Sequence, residues 1–203
     1  MELSNNSENL YKKSISKEEL NALPMMRFEG EIVLIEDEQE IEAAIIECEQ
    51  HKQIGFDTET RPAFKKGVYY PVALLQLSTP TKAFLIRVNK TGPHPALTTL
   101  FENNSISKIG IGLRDDIVEL KKLAPFNPKN FIDLNELGEK SGMESIGARK
   151  LSGIFFGKRI SKSQQVSNWE NETLTEAQMY YAATDAWICL GIYDGIMQMN
   201  GNA

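Results

Sequence analysis

The stretch YYAATDAWICLGIY, residues 180–193, places one carboxylate in an otherwise apolar helical face. Residues three and four positions apart share a face of a helix. The face that contains Asp185 is otherwise formed by Tyr181, Ala182, Ile188, Cys189, Ile192 and Ile196. A polar group buried without a partner costs about 2–7 kcal/mol, and a carboxylate buried in its charged form costs more. Asp185 therefore has a hydrogen-bond partner, lies at the boundary of the buried face, or binds a cation, and this segment alone leaves all three open.

The composition of the whole chain is that of a single globular domain. Its 203 residues are 41% hydrophobic and 25% charged, which is enough for one α/β domain with one core. A net charge of −6 attracts no nucleic acid globally, so any such binding depends on a local basic patch. Cys48 and Cys189 lie among aliphatic residues and predict small buried groups in a reducing compartment. The polar N-terminus and the absence of a long apolar run predict no secretory signal, no membrane association and a cytoplasmic location.

The hydrophobic pattern predicts a mixed β-sheet flanked by α-helices. The last long helix runs from about Leu174 to Met199, with Thr173 or Thr175 as its cap. Strands are predicted within 31–36, 53–60, 72–79, 82–88, 106–112 and 130–133, with 72–79 and 82–88 forming a hairpin. Helices are predicted within 16–20, 37–51, 94–103, 114–123, 134–137 and 143–156. We expect residues 28–203 to form the domain and 1–27 an extension, loose over 1–15 with one short helix.

Besides Asp185, acidic residues stand beside apolar positions at three places. Asp57 and Glu59 alternate along a strand, so they share a face and repel each other unless a cation lies between them. Taken alone, that pattern is more often a solvated strand edge. Asp115 and Asp116 follow a strand that ends in two glycines, and acids in a first helical turn complement the helix dipole. Asp133 is predicted to cap the helix that follows it.

Together, these weak signals predict a metal site. Acids on a strand, at a helix start and inside a late helix can converge at one point above a sheet. Four carboxylates supply the ligands for two divalent cations about 3.5–4 Å apart, an arrangement that cleaves phosphodiesters. Oxygen ligands without histidine or cysteine select Mg²⁺ or Mn²⁺. His51 and His94 are predicted to be surface residues, because neither falls near an acidic cluster.

In order along the chain, three segments resemble the exonuclease motifs of the DEDD 3′–5′ exonuclease superfamily. They read FDTET…ALLQLS, KIGIGLRDDIVEL and SKSQQVSNWENETLTEAQMYYAATDAWICLGIY. The resemblance is nearest to the ribonuclease D and Werner-syndrome exonuclease branch, spans about Glu31 to Met199, and implies a ribonuclease H-like fold. By position it implies the metal ligands and catalytic acids Asp57, Glu59, Asp116 and Asp185, with Asp115 as the rival of Asp116. Position 180, where a histidine subclass would carry its histidine, is Tyr180, and Tyr181 matches the catalytic residue of the tyrosine subclass.

The resemblance implies a hydrolase rather than a passive binder. The expected activity is 3′–5′ exonucleolytic release of nucleoside 5′-monophosphates with two Mg²⁺ or Mn²⁺ ions. The expected partner is a single-stranded 3′ end of DNA or RNA, and no obligate protein partner is implied. The alternative is a non-catalytic nucleic-acid-binding module that retains the fold, and intact acids at all four positions argue against it. Relatives often carry a basic residue just before position 174, whereas this chain reads ENETL, which leaves substrate contacts there open.

A local basic stretch is the expected path of the substrate. Between Ser145 and Trp169 there is no acid, and the cations are Arg149, Lys150, Lys158, Arg159 and Lys162. Phe155 and Phe156 lie among them, and cations with aromatics suit a single strand through phosphate contacts and base stacking. The alternative for the two phenylalanines is a place in the core. Lys65 and Lys66, in the loop that follows Glu59, are second candidates for phosphate contacts.

Overall fold

The computed structural model describes residues 12–201, so most of the predicted loose segment lies outside the described residues. The strands are β1 (Glu31–Ile35), β2 (Gln53–Thr60), β3 (Val72–Ser78), β4 (Lys82–Ile86), β5 (Ser107–Gly110) and β6 (Phe131–Asp133). The helices are α1 (Lys17–Ala22), α2 (Ile41–Cys48), α3 (Val88–Thr91), α4 (Pro95–Glu102), α5 (Leu113–Leu123), α6 (Leu134–Lys140), α7 (Ala148–Phe156) and α8 (Glu176–Met199). Within this range, no helix combines the length and apolarity needed to cross a membrane.

One mixed sheet holds all six strands in the order β1-β4-β3-β2-β5-β6. The β2–β3 and β3–β4 pairs are antiparallel, and the other three pairs are parallel. The predicted hairpin between β3 and β4 is confirmed, and its turn is closed by the amide of Thr79, which donates to the carbonyl of Lys82 at 2.8 Å. Every residue of β3 is buried, as expected for a central strand covered on both faces. The sheet flanked by helices confirms the predicted ribonuclease H-like class.

Helices cover the two faces of the sheet with separate apolar clusters. One face packs against α2, α4 and α5, and the other against α6, α7 and α8. Helix α8 approaches β2 so closely that a Cβ on Gly55 would lie 2.0 Å from the carbonyl oxygen of Ala186. Glycine is therefore required at position 55, and the contact brings the middle of α8, with Asp185, onto the end of β2.

Several element boundaries differ from the sequence prediction. Helix α7 begins at Ala148 rather than 143, because Gly147 has a φ of 89° and ends the irregular segment before it. Strand β5 ends at Gly110, and Gly112, with a φ of 76°, precedes α5. Thr175, one of the two proposed caps, accepts from the amide of Gln178 and begins α8. The four-residue helix α3 was not predicted.

The described part of the N-terminal extension packs onto the domain. The predicted capping box of Ser16 and Glu19 begins α1, and Leu20 is buried against Gly153 of α7. The amide of Met26 donates to the carbonyl of Arg159 at 2.9 Å, and the amide of Arg159 donates to the carbonyl of Pro24 at 2.9 Å. The boundary at residue 28 stays a prediction.

Candidate active site

Three acidic side chains meet where β2 ends beneath α8. Asp57 and Glu59 alternate along β2, and Asp185 projects from the middle of α8. One carboxylate oxygen from each of the three lies within 4.8 Å of those from the other two. Strand alternation and the close contact at Gly55 together produce this group, which we call the three-acid group.

The three-acid group lacks a basic partner among the described residues, and burial disfavours the charged forms of its members. Among residues 12–201, no lysine or arginine forms an ion pair with any of its members. Burial, together with Asp185 and Glu59, raises the pKa of Asp57 well above its usual value. Burial and the charges of Asp185 and Asp116 raise the pKa of Glu59 to about 9. Clustered carboxylates with raised pKa values and hard oxygen donors are a suitable ligand set for a divalent cation.

Asp116 lies beside the three-acid group with its carboxylate turned toward Thr58. The hydroxyl of Thr58, which stands between the two acids of β2, donates to Oδ1 of Asp116. Burial raises the pKa of Asp116 to about 6, and the hydrogen bond from Thr58 opposes that rise. The charge of Asp116 also raises the pKa of Asp57 and Glu59, so the four carboxylates interact. Asp115 is exposed on α5, which favours Asp116 as the functional acid of the pair.

Tyr181 lies one helical turn before Asp185. Its hydroxyl is hydrogen-bonded to the carboxylate of Asp185, and the bond partly offsets the burial that raises the pKa of Asp185 to about 7. Burial and the charges of Asp185 and Glu59 raise the pKa of the Tyr181 phenol above its usual value. The fully buried ring of Trp169 lies 6.0 Å from the ring of Tyr181. One hydroxyl donor thus faces three carboxylates, so Tyr181 alone does not compensate Asp185.

Asp133 has a second role besides the predicted helix cap. It accepts from the amide of Asn135 at 2.9 Å and so caps α6, as the sequence predicted. It also accepts from the amides of Gly112 and Leu113, at 3.1 and 2.8 Å. These two bonds fix the start of α5 and thereby the position of Asp116.

Two cavities meet at Tyr181 and Asp185. The larger, about 690 Å³, is lined by Arg27, Lys158 and Tyr180 among others, and the smaller, about 250 Å³, by Arg149, Lys150 and Lys162. The guanidinium of Arg27 lies 4.0 Å from the centre of the Tyr180 ring. Arg27 was not among the predicted residues, because it lies in an irregular segment that only the fold brings to α8. Four of the five predicted cations of the 145–169 stretch therefore line cavities beside the acids.

Three other residues of that stretch make contacts within the protein. Arg159 donates its Nε to the carbonyl of Leu23 at 2.9 Å and lines neither cavity. Phe155 and Phe156 pack over two glycines of α8, where a Cβ on Gly195 or Gly191 would lie 2.4 or 2.7 Å from the rings. The expectation that these phenylalanines stack on bases is therefore wrong, and the alternative of a core position is correct. The 3.6-residue period of α7 turns both rings away from the cavity that its N-terminal cations line.

None of the remaining predicted residues is a member of the three-acid group. Lys65 and Lys66 are exposed in the loop between β2 and β3, and no ion pair involves either within the described part of the chain. His94 caps α4 by accepting from the amide of Ala96 at 3.2 Å, and His51 follows α2. Cys48 and Cys189 are free and buried, as predicted.

The fold and this site define a 3′–5′ exonuclease domain. Residues 32–200 match the family model of the 3′–5′ exonucleases, so the chain belongs to that family. Its motifs and relatives make it a DEDD exonuclease of the Werner-syndrome and ribonuclease D type, which confirms the resemblance found in the sequence.

One curated relative and two solved structures illustrate the similarity. The chain is 31% identical over 194 residues to the bifunctional 3′-5′ exonuclease/ATP-dependent helicase WRN of Mus musculus, covering 89% of this chain and 14% of the mouse protein. It spans about one seventh of that relative's length. The Aedes aegypti Nibbler EXO domain superposes with a TM-score of 0.76 at 27% identity, covering 87% of this chain and 92% of that one. Escherichia coli RNase D shares the fold, with a TM-score of 0.76 at 22% identity over 87% of this chain and 46% of that one.

Proposed function

We propose that this protein is a divalent-metal-dependent 3′–5′ exonuclease that releases nucleoside 5′-monophosphates from the 3′ ends of nucleic acids. The observation that carries the proposal is the approach of one oxygen from each of Asp57, Glu59 and Asp185 to within 4.8 Å, with no ion pair to them from the described residues. Bringing three carboxylates together costs stability unless positive charge joins them. A scaffold that only bound nucleic acid would have no reason to bear that cost.

The ligands of the proposed site are Asp57, Glu59, Asp116 and Asp185, and the proposed cofactors are two Mg²⁺ or Mn²⁺ ions. Such ions, when bound, supply activation of water near neutral pH and stabilisation of charge on the leaving oxygen. Asp116 contributes from α5, whose start is fixed by the bonds from Gly112 and Leu113 to Asp133. Its bond with Thr58 keeps its carboxylate beside β2.

Tyr181 acts in this proposal as an orienting group rather than as a base. Its raised pKa keeps the phenol protonated at neutral pH, so it donates a hydrogen bond and does not abstract a proton. With its proton donated to Asp185, the phenol oxygen can accept a hydrogen bond from the attacking water and direct that water toward the terminal phosphorus.

The substrate in this proposal is a single-stranded 3′ end whose phosphates contact Arg149, Lys150 and Lys162 beside the smaller cavity. Lys158 would contact it from the larger cavity, and Lys65 and Lys66 from the loop after β2. Contacts of this kind neutralise phosphates and read no base edges, so cleavage is expected to depend little on sequence. The proposal covers the 3′ ends of both RNA and DNA.

The experiment that tests this function is digestion of 5′-labelled single-stranded DNA, single-stranded RNA and recessed duplex with Mg²⁺ or Mn²⁺. We expect a ladder that shortens from the 3′ end, release of mononucleotides, and complete inhibition by chelator. Asp57→Ala should abolish cleavage, whereas the matched control Asp115→Ala should retain it. Strand binding without metal-dependent cleavage would contradict the proposal and favour the non-catalytic binding module.

A further inference from the structure

Gln76 is a buried amide whose polar atoms are unsatisfied among the described residues. It lies in the middle of β3, its side chain is 0% exposed, and neither Oε1 nor Nε2 has a partner within residues 12–201. Its neighbours along the strand include Leu74, Leu75 and Leu77, which are all fully buried. A glutamine in such a run leaves unsatisfied polar atoms in the core, which is costly compared with an apolar residue of the same size.

The strand register places Gln76 directly opposite Asp57. In the antiparallel β2–β3 pair, Asp57 is the partner of Gln76, and on its other side Gln76 is paired with Leu85 of β4. Directly opposed residues point to the same face, with Cβ atoms about 4.5–5.5 Å apart. The side-chain amide of Gln76 is therefore within reach of the Asp57 carboxylate, on the face covered by α8.

A neutral donor is the residue type that this position requires. Carboxylates that bind metals are themselves held by hydrogen bonds from neighbouring groups. A lysine or arginine beside the three-acid group would compete with a divalent ion for its charge, whereas an amide donates without neutralising it. The other buried polar residue of β3, Ser78, already donates to the carbonyl of Thr79 at 2.8 Å.

We propose that Gln76 is a positioning residue, whose Nε2 donates to the carboxylate of Asp57 when that carboxylate binds a divalent ion. The inference rests on the proposed function, because it assigns a partner to one of the proposed ligands. The hydrogen bond fixes the rotamer of Asp57 and leaves its other oxygen for the metal.

Gln76→Met tests this role, because methionine has a similar shape and no amide. The matched control is Leu85→Met, which changes a fully buried neighbour of Gln76 and no hydrogen bond. We expect Gln76→Met to weaken Mn²⁺ binding by about tenfold or more, the usual effect of removing a partner of a metal ligand. The Tm of the metal-free variant should equal or exceed that of the wild type, and kcat should fall while KM for the strand stays unchanged.

If the Mn²⁺ affinity of Gln76→Met stays within about twofold of the wild type, the inference is overturned and the proposed function stands. The same conclusion follows if Leu85→Met loses as much Mn²⁺ affinity as Gln76→Met. Wild-type protein that binds no Mn²⁺ would overturn both. A measurement on the wild type avoids any failure of the variant to fold. Saturating Mg²⁺ should shift the side-chain NH₂ resonances of Gln76 in a ¹⁵N spectrum, and unchanged resonances would refute the proposed hydrogen bond.

Discussion

At the scale of single residues, burial and, after it, mutual repulsion raise the pKa values of the clustered carboxylates. One carboxylate oxygen from each of Asp57, Glu59 and Asp185 lies within 4.8 Å of the other two, and the hydroxyl of Tyr181 is hydrogen-bonded to Asp185. Each is separately compatible with a local sequence pattern, and only their distances show that they act as a group. A cation is the simplest partner for the group, because no basic side chain among the described residues pairs with it.

Removing one of these charges should stabilise the metal-free protein. At neutral pH in chelator, Asp185→Asn should raise the Tm by a few degrees, corresponding to about 1 kcal/mol, because it relieves like-charge repulsion and burial of charge. With Mn²⁺ present the order should reverse, since only the wild type gains stability from the ion. Differential scanning calorimetry in both conditions measures the effect. An Asp185→Asn variant less stable than the wild type in chelator would contradict it.

Local periodicity in the sequence predicts which acidic residues share a face of one strand or one helix. Strand alternation predicted that Asp57 and Glu59 share a face, and helical spacing predicted the pair Tyr181 and Asp185. Local periodicity does not predict hydrogen-bond partners or opposed residues that come from distant strands or helices. The bond from Thr58 to Asp116 joins residues 58 positions apart, and the apposition of Gln76 and Asp57 depends on the pairing of β2 with β3.

At the scale of elements, the contact of α8 with β2 builds the site. The contact depends on Gly55, whose missing side chain lets the backbone of Ala186 lie against the strand. The sequence predicted both elements and the alternation of residues along them. It could not predict how closely they approach, because that distance depends on residues more than 100 positions apart.

Gly55→Ala should therefore damage both stability and the site. The added Cβ would lie 2.0 Å from the carbonyl oxygen of Ala186, so α8 must shift. We expect a loss of about 3 kcal/mol or more in the free energy of unfolding, and weaker metal binding in whatever protein remains folded. Gly138→Ala in α6 is the matched control, because its nearest side-chain atom, Cγ of Met143, would be 3.5 Å away. Urea titration compares the two, and equal stabilities would refute this account of the contact.

Lys108 of β5 gives the fold a specific pH dependence. Its buried ammonium donates to the carbonyls of Asn103 and Ile106 at 2.6 and 2.9 Å, and burial lowers its pKa to about 8. The unfolded chain, with an ordinary lysine pKa of about 10.4, holds more protons than the folded chain between these values. Stability should therefore rise as the pH increases from about 8 to about 10.

Lys108→Met should remove that rise. Urea unfolding of the wild type and the variant at the two ends of this pH range gives four free energies, and their double difference isolates Lys108 from other titrating groups. The wild type should gain stability with pH relative to the variant. Parallel pH profiles for the two proteins would show that Lys108 does not titrate in this range.

At the scale of the whole molecule, the net charge is −6, yet the basic side chains of Arg149, Lys150, Lys158 and Lys162 line cavities beside the acidic residues. The sequence correctly predicted the sheet class and the hairpin, and the role of the basic stretch as the path of the substrate stays a prediction. The sequence could not distinguish the cations that line the cavities from the one that holds the fold together. Arg159 and Lys162 are three positions apart, yet one bonds the carbonyl of Leu23 and the other lines the smaller cavity.

These two cations should respond differently to the same substitution. Lys162→Ala should weaken binding of a single strand and reduce the salt slope by about 0.7, with the Tm unchanged. Arg159→Ala should lower the Tm, because the carbonyl of Leu23 loses its donor, and should leave the salt slope unchanged. Fluorescence anisotropy across a salt series, with a thermal melt of each variant, provides the comparison. An equal change of salt slope in both variants would contradict the assignment.

In our proposal, Asp57, Glu59, Asp116 and Asp185 lie together above the sheet to bind divalent ions. Calorimetric titration with Mn²⁺ of the wild-type protein and of Asp57→Ala tests this binding. We expect two ions bound per wild-type chain and loss of that binding in the variant. No heat of binding to the wild type at millimolar Mn²⁺, or equal binding by Asp57→Ala, would contradict it.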